Sequence, residues 1–270
     1  MLVRGYVELP LFTGERMMST MKWAGTWGVG VLCVVMLVGC GPTLEERRQR
    51  ARTQYELGVA ELNQGNLAEA QNAFEQAKKY DSEDPRLYNG MGLIYLQQQE
   101  YQKAIAEFQK ALRINPNFVE AHNNLGSTYA QMRDWDRAII EFREATNDPL
   151  YRTPELAHYN LGLALLEKGE LIEAVKAFHM AVKLRPNFSR ALDKYGVALF
   201  RLNRVQEAIK QFKEAIKVEP NYIDPYLNLG LAYMKQGKKE EAIAQFRLVL
   251  ERSRDEDLST SARRYLEILE

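Results

Sequence analysis

Apolar residues recur every three or four positions along most of the chain, which is the spacing of amphipathic helices. After Pro85, for example, Tyr88, Met91, Gly92 and Tyr95 stand at positions i, i+3, i+4 and i+7 of one helical stripe. The sequence offers no pattern that predicts a strand. The chain is therefore predicted to be all-α.

The helical pattern is repeated six times, and three columns of residues mark the repeat. A glycine that follows an apolar residue recurs at spacings of 34, 34, 36, 34 and 34 positions. These glycines are Gly58, Gly92, Gly126, Gly162, Gly196 and Gly230. Alanine stands twelve residues after each glycine, at Ala70, Ala104, Ala138, Ala174, Ala208 and Ala242. Phenylalanine stands four residues after each alanine, at Phe74, Phe108, Phe142, Phe178, Phe212 and Phe246.

These columns resemble the tetratricopeptide repeat, a pair of antiparallel helices. The resemblance implies an all-α, right-handed superhelical solenoid of six repeats over residues 51–256, whose concave side is lined by the first helix of each pair. A glycine inside a helix costs about 1 kcal/mol relative to alanine. Six glycines at one register therefore indicate that the two helices approach closely, with the phenylalanine filling the gap behind them.

Two helix ends are predicted beyond the repeats. Thr43 and Glu46 have the spacing of a capping box, so a short lead-in helix is expected within residues 40–50. At the other end, Ser259 or Thr260 is expected to start a cap helix within residues 257–270, with charged residues on its outer side. Such a helix would cover the apolar face that a terminal repeat leaves open.

The first 39 residues are predicted to be a signal peptide. Residues 23–38 carry no charge, and this run of 16 is shorter than the roughly 20 residues of a spanning helix. Lys22 precedes it, and Met21 could be the true start. The run ends in Leu37-Val38-Gly39-Cys40, which resembles the lipobox of bacterial lipoproteins and implies cleavage after Gly39 and lipid on Cys40. The alternative is a chance cysteine in an ordinary signal anchor.

Composition argues against an enzyme and against a nucleic-acid-binding protein. The 36 Lys and Arg balance 36 Asp and Glu, so no net field attracts a polyanion. Two cysteines and three histidines leave little for metal or triad chemistry. His122 and His158 stand where a residue packs between helices and are interpreted as half-core residues, and His179 is predicted on the outer side of a second helix. No catalytic residue, metal or cofactor is predicted.

The candidate binding residues are polar positions at the register expected to face the concave side. They are Asn89, Asn123, Asn124, Asn160, Lys194 and Asn228. A carboxamide both donates and accepts, so it can pair with a peptide backbone of any sequence. In some tetratricopeptide proteins an asparagine ladder at this register holds an extended peptide. The alternative is that these asparagines are merely polar surface.

A lipobox followed by six repeats, with a Pro-rich insertion at Asp148–Pro154, resembles the type IV pilus biogenesis lipoproteins, the pilotins. The insertion places an exposed Leu150-Tyr151 pair between two prolines. The resemblance implies a non-catalytic scaffold on the periplasmic face of the outer membrane that escorts or stabilises the secretin. The partner would bind as a peptide or helix in the concave groove. An envelope adaptor that recruits peptidoglycan hydrolases or proteases is the alternative.

Overall fold

The computed structural model describes residues 42–147 and 151–270, which form 13 α-helices and no strand. The helices are α1 Leu44–Gln64, α2 Leu67–Tyr80, α3 Pro85–Gln97, α4 Tyr101–Ile114, α5 Val119–Gln131, α6 Trp135–Thr146, α7 Pro154–Lys168, α8 Leu171–Leu184, α9 Ser189–Arg201, α10 Val205–Val218, α11 Asp224–Lys235, α12 Lys239–Arg252 and α13 Glu256–Leu269. The predicted all-α solenoid of helix pairs with a C-terminal cap helix is confirmed over these residues.

The described helices fall into two compact units. The first unit ends at Ser82 and contains α1 and α2, which pack against each other. The second unit runs from Glu83 to Glu270 and contains five helix pairs and α13. Within it, each of the first helices α3, α5, α7 and α9 also contacts the first helix of the following pair. We call the surface formed by α3, α5, α7, α9 and α11 the first-helix face.

The glycine and phenylalanine columns meet inside every pair. A Cβ built on Gly92 would lie 2.5 Å from Cε1 of Phe108, and one built on Gly196 would lie 2.4 Å from Cε1 of Phe212. The six phenylalanines are at most 1% exposed. The close approach predicted from the sequence is therefore confirmed, because each ring occupies the space that a side chain on the glycine would need.

The turn inside each pair adopts a left-handed conformation at one shared register. The six residues there have positive φ values between 60° and 88°. They are Gly65, Gln99, Arg133, Gly169, Asn203 and Gly237. An L-residue in this region costs roughly 1–2 kcal/mol, so three of the six turns use glycine. The turn shape therefore belongs to the repeat itself and persists where the glycine is absent.

The capping box predicted at the start of α1 is present. The Glu46 amide donates to Oγ1 of Thr43 at 3.1 Å, and the Thr43 amide donates to Oε2 of Glu46 at 2.9 Å. Helix α1 then continues without a break from Leu44 to Gln64. The predicted lead-in segment and the first helix of the first repeat are therefore one helix.

The cap helix starts earlier than predicted. It begins at Glu256, and the Asp255 side chain accepts from the amides of Asp257 at 2.9 Å and Leu258 at 3.1 Å. A start at Ser259 or Thr260 is wrong because Asp255, an equally good N-cap residue, lies one turn upstream. Ser259 is buried inside α13, so its hydroxyl bonds back to the Asp255 carbonyl at 2.9 Å.

The loop between the third and fourth pairs differs from its prediction at Tyr151. This residue is half-buried and packs against Val119, Ala145 and Ala157. Burial raises the pKa of its hydroxyl. The prediction that Tyr151 is exposed is therefore wrong, because its ring covers the apolar end of two helix pairs. The rest of the insertion, residues 148–150, lies outside the described residues, as do the predicted signal peptide and Cys40.

None of the helices in the described part of the chain combines the length and the apolar character needed to cross a bilayer.

Candidate peptide-binding face

Hydrogen bonds between asparagine side chains join α3, α5 and α7, the first helices of three consecutive pairs. The Asn124 amide donates to Oδ1 of Asn89 at 2.9 Å, which links α5 to α3. The Asn160 amide donates to Oδ1 of Asn123 at 3.1 Å, which links α7 to α5. Both bonds run from the sixth position of one repeat to the fifth position of the repeat before it. Four of the six predicted binding residues therefore form two inter-repeat bonds.

A buried aspartate takes the asparagine's place between α9 and α11. The Asn228 amide donates to Oδ1 of Asp193 at 2.7 Å, and the Tyr222 hydroxyl donates to Oδ2 at 3.2 Å. The Lys194 ammonium lies 3.1 Å from the same Oδ2. The Asp193 side chain is 0% exposed. This carboxylate thus holds a neutral amide, a phenol and a cation at one joint between repeats.

The pKa of Asp193 is raised, chiefly by burial, against the opposing effects of Lys194 and Asn228. Burial is also the main cause that raises the pKa of Tyr159 to about 12, with Asp193 adding to it. The pKa of Tyr222 is raised by burial first and then by Asp193. The two tyrosines therefore stay neutral at physiological pH, and Tyr222 stays a donor to the carboxylate.

Sequence reasoning missed Asp193. The signal that could have found it is its register, because it stands at the fifth position of its repeat, where Asn89 and Asn123 stand in theirs. A buried carboxylate is generally paired with a cation. Here that cation is the next residue, Lys194.

The six predicted binding residues differ in their exposure to solvent. Asn160 is 6% exposed and buried, while Asn89, Asn123, Asn124 and Asn228 are half-buried. The Lys194 side chain is 29% exposed. The asparagines thus hold neighbouring first helices in register, and Lys194 is the residue of the set that presents a charge on the first-helix face. Whether any of the six touches a bound peptide stays a prediction.

Half-buried apolar side chains lie along the same face. They are Leu93, Leu96, Leu163, Val197, Phe200, Leu231 and Met234. Leu166, which belongs to the same predicted row, is only 3% exposed and packs in the core. The Lys235 ammonium lies 4.8 Å from the centroid of the Phe200 ring. The face therefore combines half-buried apolar side chains with polar and charged positions.

His122 bridges the loop before α5 and helix α6. Its Nδ1 lies 2.7 Å from Oε2 of Glu141, and its Nε2 lies 2.9 Å from the carbonyl oxygen of Pro116. Both partners are acceptors, so this arrangement favours the protonated imidazole, which donates from both ring nitrogens. Burial lowers the pKa of His122, but the bonds to Glu141 and Pro116 and the nearby Glu141 and Glu144 carboxylates outweigh it and raise the pKa above 6.5.

We expect His122 to make the stability of the repeats depend on pH. Because its folded-state pKa is raised, its contribution is complete below pH 6.5 and is lost as the pH rises through the folded-state value. The free energy of unfolding of the wild type should fall relative to that of His122→Gln by about 1 kcal/mol between pH 6 and 8.5. Urea unfolding at several pH values measures this difference. Parallel pH profiles for the two proteins would contradict it.

The other histidines lie in the fourth repeat. His158 lines a cavity of about 180 Å³ with Leu161, Leu165 and Met180, and burial lowers its pKa. His179 is exposed and its ring lies 5.9 Å from that of Tyr195. Within residues 42–147 and 151–270, no group of three or more His, Cys, Asp or Glu could hold a metal ion. The histidines behave as the half-core and surface residues that the sequence indicated.

Comparison with known sequences identifies the repeats. A family described as "Tetratricopeptide repeat" matches residues 51–84, 121–146, 156–188 and 223–256. A family described as "TPR repeat" matches residues 92–132 and 196–237. Together these matches span more than half of the chain. No curated protein sequence matches the chain significantly.

Several solved structures share the fold along most of their length. The structure of PilF from Pseudomonas aeruginosa has a TM-score of 0.72 at 17% identity and covers 82% of this chain and 98% of PilF. PilW, described as a widely conserved type IV pilus biogenesis factor, has a TM-score of 0.69 at 21% identity, with 78% and 98% covered. YrrB, described as a repeat protein with an unusual peptide-binding site, has a TM-score of 0.61 at 23% identity, with 71% and 98% covered.

At these identities the structural similarity establishes the fold and nothing finer. The fold, the buried glycine–phenylalanine pairs and the family matches agree along the described repeats. The chain therefore belongs to the tetratricopeptide-repeat family.

Proposed function

We propose that this chain is a lipid-anchored, non-catalytic scaffold of the cell envelope. It assists type IV pilus assembly by holding a segment of the secretin on its first-helix face. A tetratricopeptide-repeat protein is a protein-interaction scaffold, and the repeats of this chain provide the surface for that interaction. The proposal adds three points to this general role: a lipid on Cys40, a location at the outer membrane and the secretin as the partner.

The observation that carries the proposal is the similarity to PilF and PilW. In both cases it covers 98% of the solved chain, so the fold matches along almost the whole length of each. PilW is described as a type IV pilus biogenesis factor. The sequence Leu37-Val38-Gly39-Cys40 supports the envelope location, because a lipid on Cys40 would hold the repeats at a membrane surface.

The architecture of the first-helix face suits the holding of a segment. Hydrogen bonds between asparagine side chains link α3 to α5 and α5 to α7, and Asp193 links α9 to α11. A face that is rigid before binding loses little conformational entropy when a ligand binds. Its half-buried apolar side chains would cover apolar residues of a secretin subunit that otherwise aggregates before assembly. The anchor would keep both proteins at the membrane where the multimer forms.

The test is complementation of a deletion strain, read as heat-resistant secretin multimers and as twitching motility. We expect the wild-type gene to restore both. Cys40→Ser should release the protein from the membrane fraction and reduce the multimers. Val197→Glu/Leu231→Glu places two charges among the apolar side chains of α9 and α11 and should reduce the multimers severalfold while the protein stays in the membrane fraction.

The matched control is Ile140→Glu/Ile172→Glu. These isoleucines are 58% and 64% exposed on the second helices α6 and α8, so the same charges are added away from the first-helix face. This variant should complement like the wild type. Circular dichroism checks that both double variants remain folded. Intact secretin multimers and motility in the deletion strain itself would remove the proposal and favour the adaptor for peptidoglycan hydrolases or proteases. Full membrane retention of Cys40→Ser would instead point to an uncleaved N-terminal helix as the tether.

A further inference from the structure

Charge is unevenly distributed over the first-helix face of the second unit. On α9, Arg190, Lys194, Val197 and Arg201 are spaced i, i+4, i+7 and i+11, so they form one stripe of the helix. Arg190 and Arg201 are exposed, and Lys194 and Val197 are half-buried. The stripe is thus cationic at both ends and apolar in between.

The helices on either side extend this arrangement. On α11, Lys235 lies over the Phe200 ring, so its ammonium stands beside the Arg201 end of the stripe. Arg201 Nη1 donates to the Leu166 carbonyl at 3.2 Å, which turns the guanidinium toward the C-terminal end of α7. Between the cationic ends lie the half-buried side chains of Leu163 and Leu231.

The cations outnumber the anions in this part of the face. Arg190, Lys194, Arg201 and Lys235 carry four positive charges on α9 and α11. Asp193 and Asp224 are the acidic residues of those two helices. The corresponding stripes of α5 and α7 carry Glu120 and Glu167 instead. The face therefore has a basic region over α9 and α11 next to a more acidic one, and an acidic ligand would be drawn toward the basic region.

Asp193 positions Lys194, the inner cation at the Arg190 end of the stripe. Its Oδ2 is 3.1 Å from the Lys194 ammonium, and its other contacts with Asn228 and Tyr222 complete its hydrogen bonding. An ammonium has three N–H donors, so Lys194 keeps donors for a ligand while the buried carboxylate fixes its position. Seven residues of helix separate Lys194 from Arg201, which is a rise of about 10 Å.

We infer that the part of the first-helix face formed by α7, α9 and α11 binds an acidic segment of the partner protein. The segment has apolar side chains at its centre and carboxylates about 10 Å apart on either side of them. Its apolar centre covers Leu163, Val197 and Leu231, and its carboxylates meet Arg190 and Lys194 at one end and Arg201 and Lys235 at the other. This inference deepens the proposed function, since it states the chemistry of the bound segment.

The test uses three fluorescein-labelled, 14-residue helical peptides and the purified chain from residue 41. The first peptide has glutamates seven positions apart on either side of leucines, and the second and third carry glutamine or lysine in place of the glutamates. We expect the glutamate peptide to bind at least tenfold more tightly than the glutamine peptide at low salt, and the lysine peptide to bind least. The preference should shrink as salt is added. Equal binding of the three peptides, or binding of none, would overturn the inference.

Charge reversal on the protein locates the site. Arg190→Glu/Arg201→Glu should weaken binding of the glutamate peptide at least tenfold and should improve binding of the lysine peptide. The control is Lys210→Glu, which makes the same kind of change at an exposed position of the second helix α10 in the same repeat. It should leave both affinities unchanged. An equal loss in Lys210→Glu would show a general charge effect and would overturn the site.

The same variants separate this inference from the proposed function. Secretin multimers that form normally with Arg190→Glu/Arg201→Glu would overturn the acidic-segment site while the secretin escort still stands. A protein that binds the glutamate peptide as expected, but whose deletion leaves the secretin multimers intact, would keep the site and remove the escort.

Discussion

Gly196→Ala is expected to destabilise the second unit by about 1–3 kcal/mol, although alanine is the better helix former by about 1 kcal/mol. The new Cβ would lie 2.4 Å from Cε1 and 2.7 Å from Cδ1 of Phe212, a ring that is 1% exposed and has no room to move. The overpacking outweighs the gain in helix propensity because the ring is enclosed on all sides. Urea unfolding followed by circular dichroism measures the change in the free energy of unfolding.

A double-mutant cycle tests whether the ring is the cause. Phe212→Leu removes Cε1 and Cζ, which would lie 2.4 and 2.9 Å from the new Cβ, at the cost of a small cavity. In that background Gly196→Ala should cost much less than in the wild type, so the two substitutions should show a favourable coupling. If Gly196→Ala costs the same with leucine at position 212, the contact between the glycine and the phenylalanine does not limit the packing. The explanation of the glycine column would then be wrong.

Asp193→Ala is expected to have a larger effect, a loss of about 2–4 kcal/mol, because three donors lose one acceptor together. The substitution leaves the Asn228 amide, the Tyr222 hydroxyl and the Lys194 ammonium without their shared acceptor. These donors are half-buried, so each one that loses its partner costs part of the free energy of its desolvation. The α9–α11 joint should therefore open before the rest of the second unit. Hydrogen exchange of the α11 amides measures that local opening.

Asp193→Asn is the matched comparison and should cost far less than Asp193→Ala. Its oxygen can still accept from Asn228, and the chain already uses this amide–amide geometry between Asn123 and Asn160. The raised pKa of Asp193 also shows that burial penalises the charged form, so removal of the charge offsets part of the loss. Equal effects of the two substitutions would show that the charge of Asp193, and not its hydrogen bonding, holds the joint.

The fold could be predicted in detail because one register is repeated six times. A single glycine such as Gly92 predicts little, but six at one spacing, each followed by alanine and phenylalanine, leave few alternative packings. The close contact of Gly92 with Phe108 follows from that repetition. Features that occur once were harder to predict. The start of α13 depends on whether Asp255 or Ser259 takes the cap, and Tyr151 packs on residues of three different helices, α5, α6 and α7.

The candidate binding face could also be predicted only in part. The register correctly brought Asn124 and Asn160 to adjoining first helices, but it could not show that they donate to Asn89 and Asn123. A pattern gives the side of a helix on which a residue lies and not its hydrogen-bond partner. Asp193 was missed because the fifth position is not constant along the repeats and also holds Tyr159 and Leu227. Its burial and its three partners become visible only when α9 and α11 are seen together.

Site-specific photocrosslinking in living cells tests most directly whether the first-helix face holds the secretin. Benzoylphenylalanine would replace Phe200, a half-buried aromatic residue of the first-helix face, and separately Ile172, which is 64% exposed on α8. Irradiation followed by purification and mass spectrometry identifies the attached protein. We expect a secretin adduct from position 200 and none from position 172. No secretin adduct at position 200, or equal yields at the two positions, would contradict it.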